Sequence, residues 1–400
     1  MDAAIARLSR GAESSELEIS YAAKAFATIA FFRHLARHPI GLDVCSLGEL
    51  VTAERAGFPP ERLTLHGAGK SDEELRAVCD GRVGFVVADG IEELERLAEL
   101  GRAGCRAGLI LRLNVGIEAH THAFVRTGGD DTKFGIAPRD EAAALAVLRA
   151  NPQLRFAGLH AHVGSQIFHM QVYVANAAAL LDAAERFAQA GVPTERLVIG
   201  GGFGVKTHPD EGDESLDVPA VVAAVREYVR HRTREHGLKM PRLGIEPGRT
   251  IVARAGTTLY RVLAVKRQSQ RAFVVVDGGI AENPRPALYG ARHHVVAAGP
   301  AENGDVEMTL CGRSCENDEL GNVRLPPTVA SGDLLAMCAT GAYTYSMAGN
   351  YNRFPRPAVV GVAGGSHRLL ARRESLDDVL RNDVDVPVSP NESGRRRAAF

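Results

Sequence analysis

The first 250 residues of this 400-residue chain alternate short β-type runs with longer helical ones, and the alternation occurs eight times. The β-type runs are Leu17 to Ala23, Gly41 to Ser46, Leu63 to Gly67, Val83 to Asp89, Ala107 to Asn114, Phe156 to Gly164, Arg196 to Gly204 and Leu243 to Gly248. Most are apolar along their length and bounded by Gly, Ser or Asp, as strands buried on both faces require. Between them lie segments with apolar residues at helical spacing, such as Leu94, Leu97, Ala98 and Gly101, or Ala177, Leu180, Leu181 and Ala184. Such a pattern predicts parallel strands under covering helices. Eight units favour closure into an α/β (β/α)8 TIM-like barrel, with an open doubly wound sheet as the structural alternative.

After Arg249 the texture changes to short β-type runs punctuated by Gly, Pro and Asn: Thr258 to Val265, Ala272 to Asp277, Glu307 to Leu310, Leu334 to Cys338 and Ala358 to Val362. A mainly β C-terminal domain is expected. The predicted division is a barrel over 15–249, a β domain over 250–385 and a flexible tail over 386–400, in which Ser389 to Arg397 reads as solvated. No internal repeat at solenoid spacing is visible.

Lys plus Arg (47) nearly cancels Asp plus Glu (48), so no global field draws the chain to nucleic acid or to an anionic membrane, and a small-molecule partner is expected. The first residues, with Asp2, Arg7, Arg10, Glu13, Glu16 and Glu18, hold no apolar run of signal or membrane-span length, which predicts a cytoplasmic protein. The six cysteines read as free thiols in a reducing compartment. Cys311 and Cys315 are the one close pair, and without a second pair or a histidine at ligand spacing no metal site is expected there.

A barrel's active site lies at the C-terminal ends of its strands. The first run ends in Tyr21-Ala22-Ala23-Lys24-Ala25, placing a lysine among apolar residues. Poor solvation there would lower the amine's pKa and let it condense with an aldehyde; the alternative is an exposed lysine at a strand end. The sixth run ends in His160-Ala161-His162-Val163-Gly164-Ser165-Gln166. Its two histidines lack an acidic or cysteine companion for a metal. His162 could stack on a pyridine ring and Ser165 bond a phosphate oxygen, whereas His160 reads as structural. The seventh ends in Gly200-Gly201-Gly202-Phe203-Gly204, either a phosphate cup or a tight turn. The eighth ends in Glu246-Pro247-Gly248-Arg249, where Glu246 either pairs with Arg249 or faces a pyridinium nitrogen. In the β domain, Arg285 and Tyr343 sit in Pro- and Gly-bounded loops, suited to a substrate carboxylate or phosphate or simply to anchoring those loops.

In order and spacing these motifs, with Gly41-Leu42-Asp43-Val44-Cys45-Ser46, His66-Gly67, Arg285-Pro286-Ala287-Leu288-Tyr289, Cys311-Gly312, Cys315-Glu316 and Thr340-Gly341-Ala342-Tyr343, resemble the fold-type III decarboxylases that use pyridoxal 5'-phosphate. The likeness is greatest to the diaminopimelate decarboxylase branch and runs over nearly the whole chain. It implies an alanine racemase-like barrel with a β domain completing the site, and decarboxylation of meso-2,6-diaminopimelate to L-lysine, the last step of lysine biosynthesis. It further implies that Lys24 holds the cofactor as a Schiff base and His162 stacks on its ring. Asp43, Ser165, Gly201, Gly202, Glu246, Gly248, Arg249 and Tyr343 would surround ring or phosphate, Glu246 at the pyridine nitrogen. Arg249, Arg285, Tyr289, Glu316 and Tyr343 would bind substrate, Glu316 taking the distal amino group. Cys315 would protonate the carbanion from the partner subunit of a homodimer.

Glu316 bears on substrate choice, because the diamine-forming branch usually has Asp after the catalytic cysteine. Two departures stand out. Ala68-Gly69-Lys70 replaces the family's Asn-rich turn, and Met1 falls about where a helix follows a further strand in family members, so the β domain is expected to lack a strand and expose an edge unless the start is misassigned. The alternatives are a fold-type III decarboxylase of ornithine, arginine or carrier-bound glutamate, or a non-catalytic protein that binds the cofactor.

Overall fold

The structure is a computed structural model and describes residues 1–10, 17–102, 104–117, 132–299 and 305–384. The expected tail over 386–400 lies outside the described residues. Eight parallel strands close into a barrel in chain order: β1 (Leu17–Ala22), β2 (Gly41–Val44), β3 (Leu63–Leu65), β4 (Phe85–Ala88), β5 (Gly108–Arg112), β6 (Arg155–His160), β7 (Arg196–Val198) and β8 (Arg242–Ile245). Closure is made by β8 on β1, with Leu17 opposite Leu243 and Ile19 opposite Ile245.

Each apolar run read from the sequence coincides with one strand, β6 and β8 starting one residue earlier, but the sheet stops short of the run's end. Gly200 (φ 73°) and Gly202 (φ 81°) adopt left-handed backbone that a strand cannot continue, and Pro247 has no N–H for a ladder. These apolar residues beyond the strands build the barrel mouth.

The first helix, α1 (Asp2–Arg10), precedes β1 and sinks Ile5 and Leu8 into the barrel's outer core, ahead of residue 15, where the sequence reading begins the barrel. After successive strands come α2 (Ile29–Leu35), α3 (Leu47–Ala56), α4 (Asp72–Cys79), α5 (Ile91–Arg102), α6 (Glu141–Ala150), α7 (Met170–Gln189), α8 (Val218–Glu235) and α9 (Arg249–Val252). Thr28, Ser46 and Ser71 cap three of these helices, each accepting a bond from the N–H three residues on. The helical faces expected on α5 and α7 are the buried ones.

Inside the barrel Val87, Ile110, Ala157 and Val198 pack with Phe85 as a cluster of their own. A cavity of about 760 Å³, lined by Ser20, Gly41, Thr64, Val87 and Gly244 among others, runs from the strand starts up to Asp43, His66, His160 and Glu246.

The second sheet comprises β9 (Thr257–Arg267), β10 (Ala272–Val276), β11 (Val295–Ala297), β12 (Val306–Cys311), β13 (Glu319–Leu325) and β14 (Leu334–Cys338), in the order β11-β14-β9-β10-β12-β13. A hairpin of β15 (Val359–Ala363) and β16 (Ser366–Ala371) follows. β11, β13 and β16 are absent from the sequence reading. β13 alternates buried Leu320, Val323 and Leu325 with Gly321, Asn322 and Arg324, a half-polar run of weak β character. The sheet closes its own core on Tyr260, Val262, Val274, Leu310, Leu335 and Met337. All six cysteines are free thiols. Among the described residues no helix is long and apolar enough to cross a membrane.

Candidate active site

The chain leaves β1 in a single tight turn, Ala23–Ala25, that carries Lys24 between two fully buried alanines. The lysine side chain itself is exposed, which corrects the expectation of poor solvation: the turn projects it clear of the apolar strand. The β domain holds this turn in place. Ser346 Oγ donates to the Lys24 carbonyl (2.9 Å), and the Tyr343 N–H donates to the Ala25 carbonyl (2.8 Å). Tyr343 does so at φ 59°, a strained conformation for a non-glycine residue.

Four titratable groups meet at the head of the barrel cavity. His160 Nε2 lies 3.1 Å from the Glu246 carboxylate, and His66 Nε2 lies 3.5 Å from Glu246 and 3.6 Å from Asp43. Burial pushes the Glu246 carboxyl upward, but His160 and His66 more than reverse this and hold it below the usual carboxylate range. Burial, reinforced by the Glu246 charge, drives Asp43 well above its ordinary value. Burial takes His66 down to about 4 and lowers His160, so a neutral His160 donates to an ionised Glu246 while His66 lies beside it without a hydrogen bond. His160 is therefore part of the site rather than the isolated structural histidine expected. The acidic companion judged missing from the histidine pair arrives on β8, giving a His66, His160 and Glu246 cluster with ligand atoms within 4.8 Å of one another.

His162, two residues beyond His160, accepts the Gly201 N–H on Nδ1 (3.1 Å), which leaves the proton on Nε2. Burial, then the nearby Lys24 charge, pushes this imidazole well below its normal pKa. The glycine run is explained by close approach. A Cβ on Gly201 would fall 2.0 Å from the Glu246 carbonyl oxygen, and one on Gly202 2.0 Å from that of Gly164. Tyr173 (3.1 Å to Gly201 O) and Asn176 (3.1 Å to Ile199 O) fix the run from beneath.

Arg249 and Arg285 are both buried, and among the described residues neither has a carboxylate within ion-pair distance. The Glu246–Arg249 pair allowed by the sequence is not formed. Arg249 donates instead to Ser165 Oγ (3.3 Å), and both guanidiniums face the Tyr343 ring, at 4.8 and 5.7 Å. Arg285 also reaches the Tyr289 ring at 5.7 Å. Burial first, then the Arg249 charge, brings Arg285 down to about 10. Two unneutralised buried cations beside a Gly-lined turn form an anion site. Gly248 packs tightly under Tyr343, where a Cβ would sit 3.2 Å from its hydroxyl oxygen.

Cys315 and Glu316 are exposed on the loop between β12 and β13. Buried Asp318 shapes this loop by accepting the Ile280 and Ser314 N–H groups at 2.6 and 3.3 Å. Tyr351 donates to Glu316 (2.6 Å) and the Cys315 N–H to Asn352 (3.4 Å). Among the described residues no recorded hydrogen bond or ion pair joins this loop to Lys24, Glu246, Arg249 or Arg285.

Three features have no role in the sequence reading. Buried Arg112 at the end of β5 pairs with Asp89 (3.3 Å) and lies over the Phe134 ring (4.4 Å). His66 enters from β3. The Ala68-Gly69-Lys70 turn carries a buried ion pair, Lys70 Nζ to Glu93 at 2.7 Å and to the Gly67 carbonyl at 2.9 Å, so it supports the site from below. Together the cradle suits a phosphorylated pyridine aldehyde: an exposed amine, a buried ionised carboxylate, an imidazole between them, a turn without room for Cβ atoms and two unneutralised guanidiniums.

Residues 4–253 match the family described as pyridoxal-dependent decarboxylase, pyridoxal binding domain. The chain is 44% identical to the diaminopimelate decarboxylase of Actinosynnema pretiosum subsp. auranticum, over 92% of this chain and 84% of that one. It is 39% identical to that of Bacillus subtilis (strain 168), over 92% and 85%. Its fold superposes on diaminopimelate decarboxylase from Helicobacter pylori complexed with L-lysine with TM-score 0.86, 28% identity and coverage of 95% and 93%. On the enzyme from M. jannaschii in co-complex with L-lysine the TM-score is 0.87, with 28% identity and coverage of 96% and 89%. The barrel, the cradle and these relatives agree: the chain belongs to the pyridoxal-dependent decarboxylases, and pyridoxal 5'-phosphate is its cofactor.

Proposed function

We propose that this chain decarboxylates meso-2,6-diaminopimelate, releasing CO2 and L-lysine as the last step of lysine biosynthesis. The observation that carries the reading is the pair of buried guanidiniums, Arg249 and Arg285, facing one tyrosine ring with no acidic partner among the described residues. They offer charge for a phosphate and for a substrate carboxylate retained after the first has left. Relatives named for this reaction support the substrate, as does the likeness to two structures complexed with L-lysine.

Pyridoxal 5'-phosphate, when bound, supplies an electron sink for the charge left by departing CO2. In this reading Lys24 would supply the amine that holds the cofactor. Glu246, with His66 and His160 around it, would keep a proton on the pyridine nitrogen, and Asp43, whose carboxyl burial and the Glu246 charge raise, would line the same end. His162 packs against the ring. Ser165, Gly201, Gly202, Gly248, Arg249 and Tyr343 hold the phosphate end, and Arg249, Arg285, Tyr289 and Tyr343 orient substrate. Buried cations and excluded water strengthen each of these contacts.

Cys315 and Glu316 complete the roles, Cys315 delivering a proton and Glu316 receiving the distal ammonium group. Their exposure, with no hydrogen bond or ion pair to the Lys24 cluster among the described residues, fits a homodimer with shared sites; the balanced charge and the likeness to bacterial biosynthetic enzymes fit the cytoplasm. The functional units are a barrel over 15–249, to which α1 adds, and a β domain over 250–385. Turnover of a panel of amino acids tests the substrate. Diaminopimelate should be preferred strongly; faster turnover of ornithine or arginine would overturn the assignment of Arg285 and Glu316.

A further inference from the structure

Away from the barrel mouth, α1 and α2 bring together three side chains able to bind a metal. His34 lies on the last turn of α2, and His38 follows one turn later with its N–H bonded to the Leu35 carbonyl (2.9 Å). Their imidazole rings stand 5.2 Å apart. Both turn Nε2 toward the same oxygen of Asp2 on α1: His34 at 2.6 Å and His38 at 3.8 Å. The three ligand atoms all lie within 4.8 Å of one another.

From this convergence we infer that Asp2, His34 and His38 form a binding site for a divalent transition-metal ion of the zinc class. Tetrahedral zinc with bonds of about 2.0–2.2 Å needs its ligand atoms about 3.3 Å apart, and the two observed separations straddle that value. Two imidazoles and one carboxylate suit zinc, cobalt, nickel or copper rather than calcium or magnesium, which prefer all-oxygen shells. The half-exposed site leaves a coordination position for water.

The scaffold is already fixed on both sides. Ile5 and Leu8 anchor α1 in the core, and Arg7 ties it to Asp217 (3.0 Å). Phe31, Phe32 and Leu35 anchor α2. Binding would therefore need only side-chain adjustment, and the ion would join the chain's first helix to the barrel wall.

The test is isothermal titration of zinc into the cofactor-loaded protein, comparing wild type with His34→Gln, His38→Ala and Asp2→Asn. His34→Gln keeps a polar partner for Asp2, so retention of the fold and loss of zinc can be told apart. One zinc site is expected in wild type, raising the melting temperature. Each histidine variant should bind more weakly by more than the roughly 10–100-fold that loss of an outer-shell partner costs, and should melt at the same temperature with and without zinc. Equal affinity and stoichiometry in wild type and all three variants, or no zinc uptake by wild type, would overturn the assignment.

Discussion

The guanidiniums of Arg249 and Arg285, 36 residues apart in sequence and supplied by the barrel wall and the β domain, approach the one ring of Tyr343 at 4.8 and 5.7 Å. Like charges brought together under burial, with no carboxylate partner among the described residues, are costly unless an anion is meant to join them.

Replacing Arg285 by Met should therefore separate function from stability. Catalytic efficiency on diaminopimelate should fall roughly 10–100-fold or more, the worth of about 1.5–3 kcal/mol for a hydrogen bond to a charged group. The melting temperature of the cofactor-free protein should hold or rise, because one of two facing cations is gone. Steady-state kinetics beside thermal unfolding checks both, and unchanged kinetics would remove Arg285 from the site.

At the glycine run the constraint is contact. Gly201→Ala would set a methyl group against the Glu246 carbonyl and should destabilise by about 3 kcal/mol or more, with loss of cofactor. Gly191→Ala, at a positive φ (81°) that Gly201 does not share and with nothing near its Cβ, should cost only about 1–2 kcal/mol. Denaturant unfolding of the two variants, with cofactor content read from visible absorbance, makes the comparison. Equal losses would mean that crowding at Gly201 costs no more than left-handed backbone does at Gly191.

Much of this was legible in the sequence because it rests on local pattern. Apolar runs, most of them bounded by Gly, Ser or Asp, marked all eight barrel strands, and Lys24, Glu246 and Gly200-Gly201-Gly202 stood at their ends. What escaped depends on closure of the barrel. His160 read as structural because its partner Glu246 lies 86 residues on and meets it only when β6 and β8 both point into one mouth. Arg112 with Asp89 and Lys70 with Glu93 are likewise unions across strands. The exposure of Lys24 follows from a turn whose course apolar neighbours do not reveal. In the β domain, β13 escaped because half its residues face water.

The buried Lys70–Glu93 pair should behave as a support and not as catalytic machinery. Glu93→Leu alone strands a buried ammonium group and should cost about 3–5 kcal/mol, whereas adding Lys70→Met should restore most of that loss. Unfolding of single and double variants forms the cycle, and additive losses would contradict it.

Acid should weaken the fold in a defined window. Burial, and for His293 also the Arg285 charge, takes His66 and His293 from 6.5 to about 4. These histidines bind fewer protons folded than unfolded between those values, so their share of stability is complete above about pH 6.5 and is lost as pH falls toward 4. His293 accounts for up to about 3 kcal/mol of this. His293→Gln should flatten the pH dependence of unfolding free energy across that window; an unchanged slope would show that His293 does not titrate as its burial requires.

Shared sites predict complementation between two inactive proteins. Lys24→Ala and Cys315→Ala subunits, mixed under conditions that let dimers exchange, should regain roughly a quarter of wild-type activity, since half the dimers are mixed and each carries one intact site. No recovery, with exchange verified, would place Cys315 in the same chain's site or outside the mechanism.

The central claim is best tested on Lys24 itself. Purified wild-type protein given pyridoxal 5'-phosphate should show the visible absorbance of a lysine-bound cofactor, and adding meso-diaminopimelate should release CO2 and L-lysine in equal amounts. Lys24→Ala should lose both the absorbance and the product. Retention of either by the variant, or an absence of CO2 from the cofactor-loaded wild type, would contradict the account.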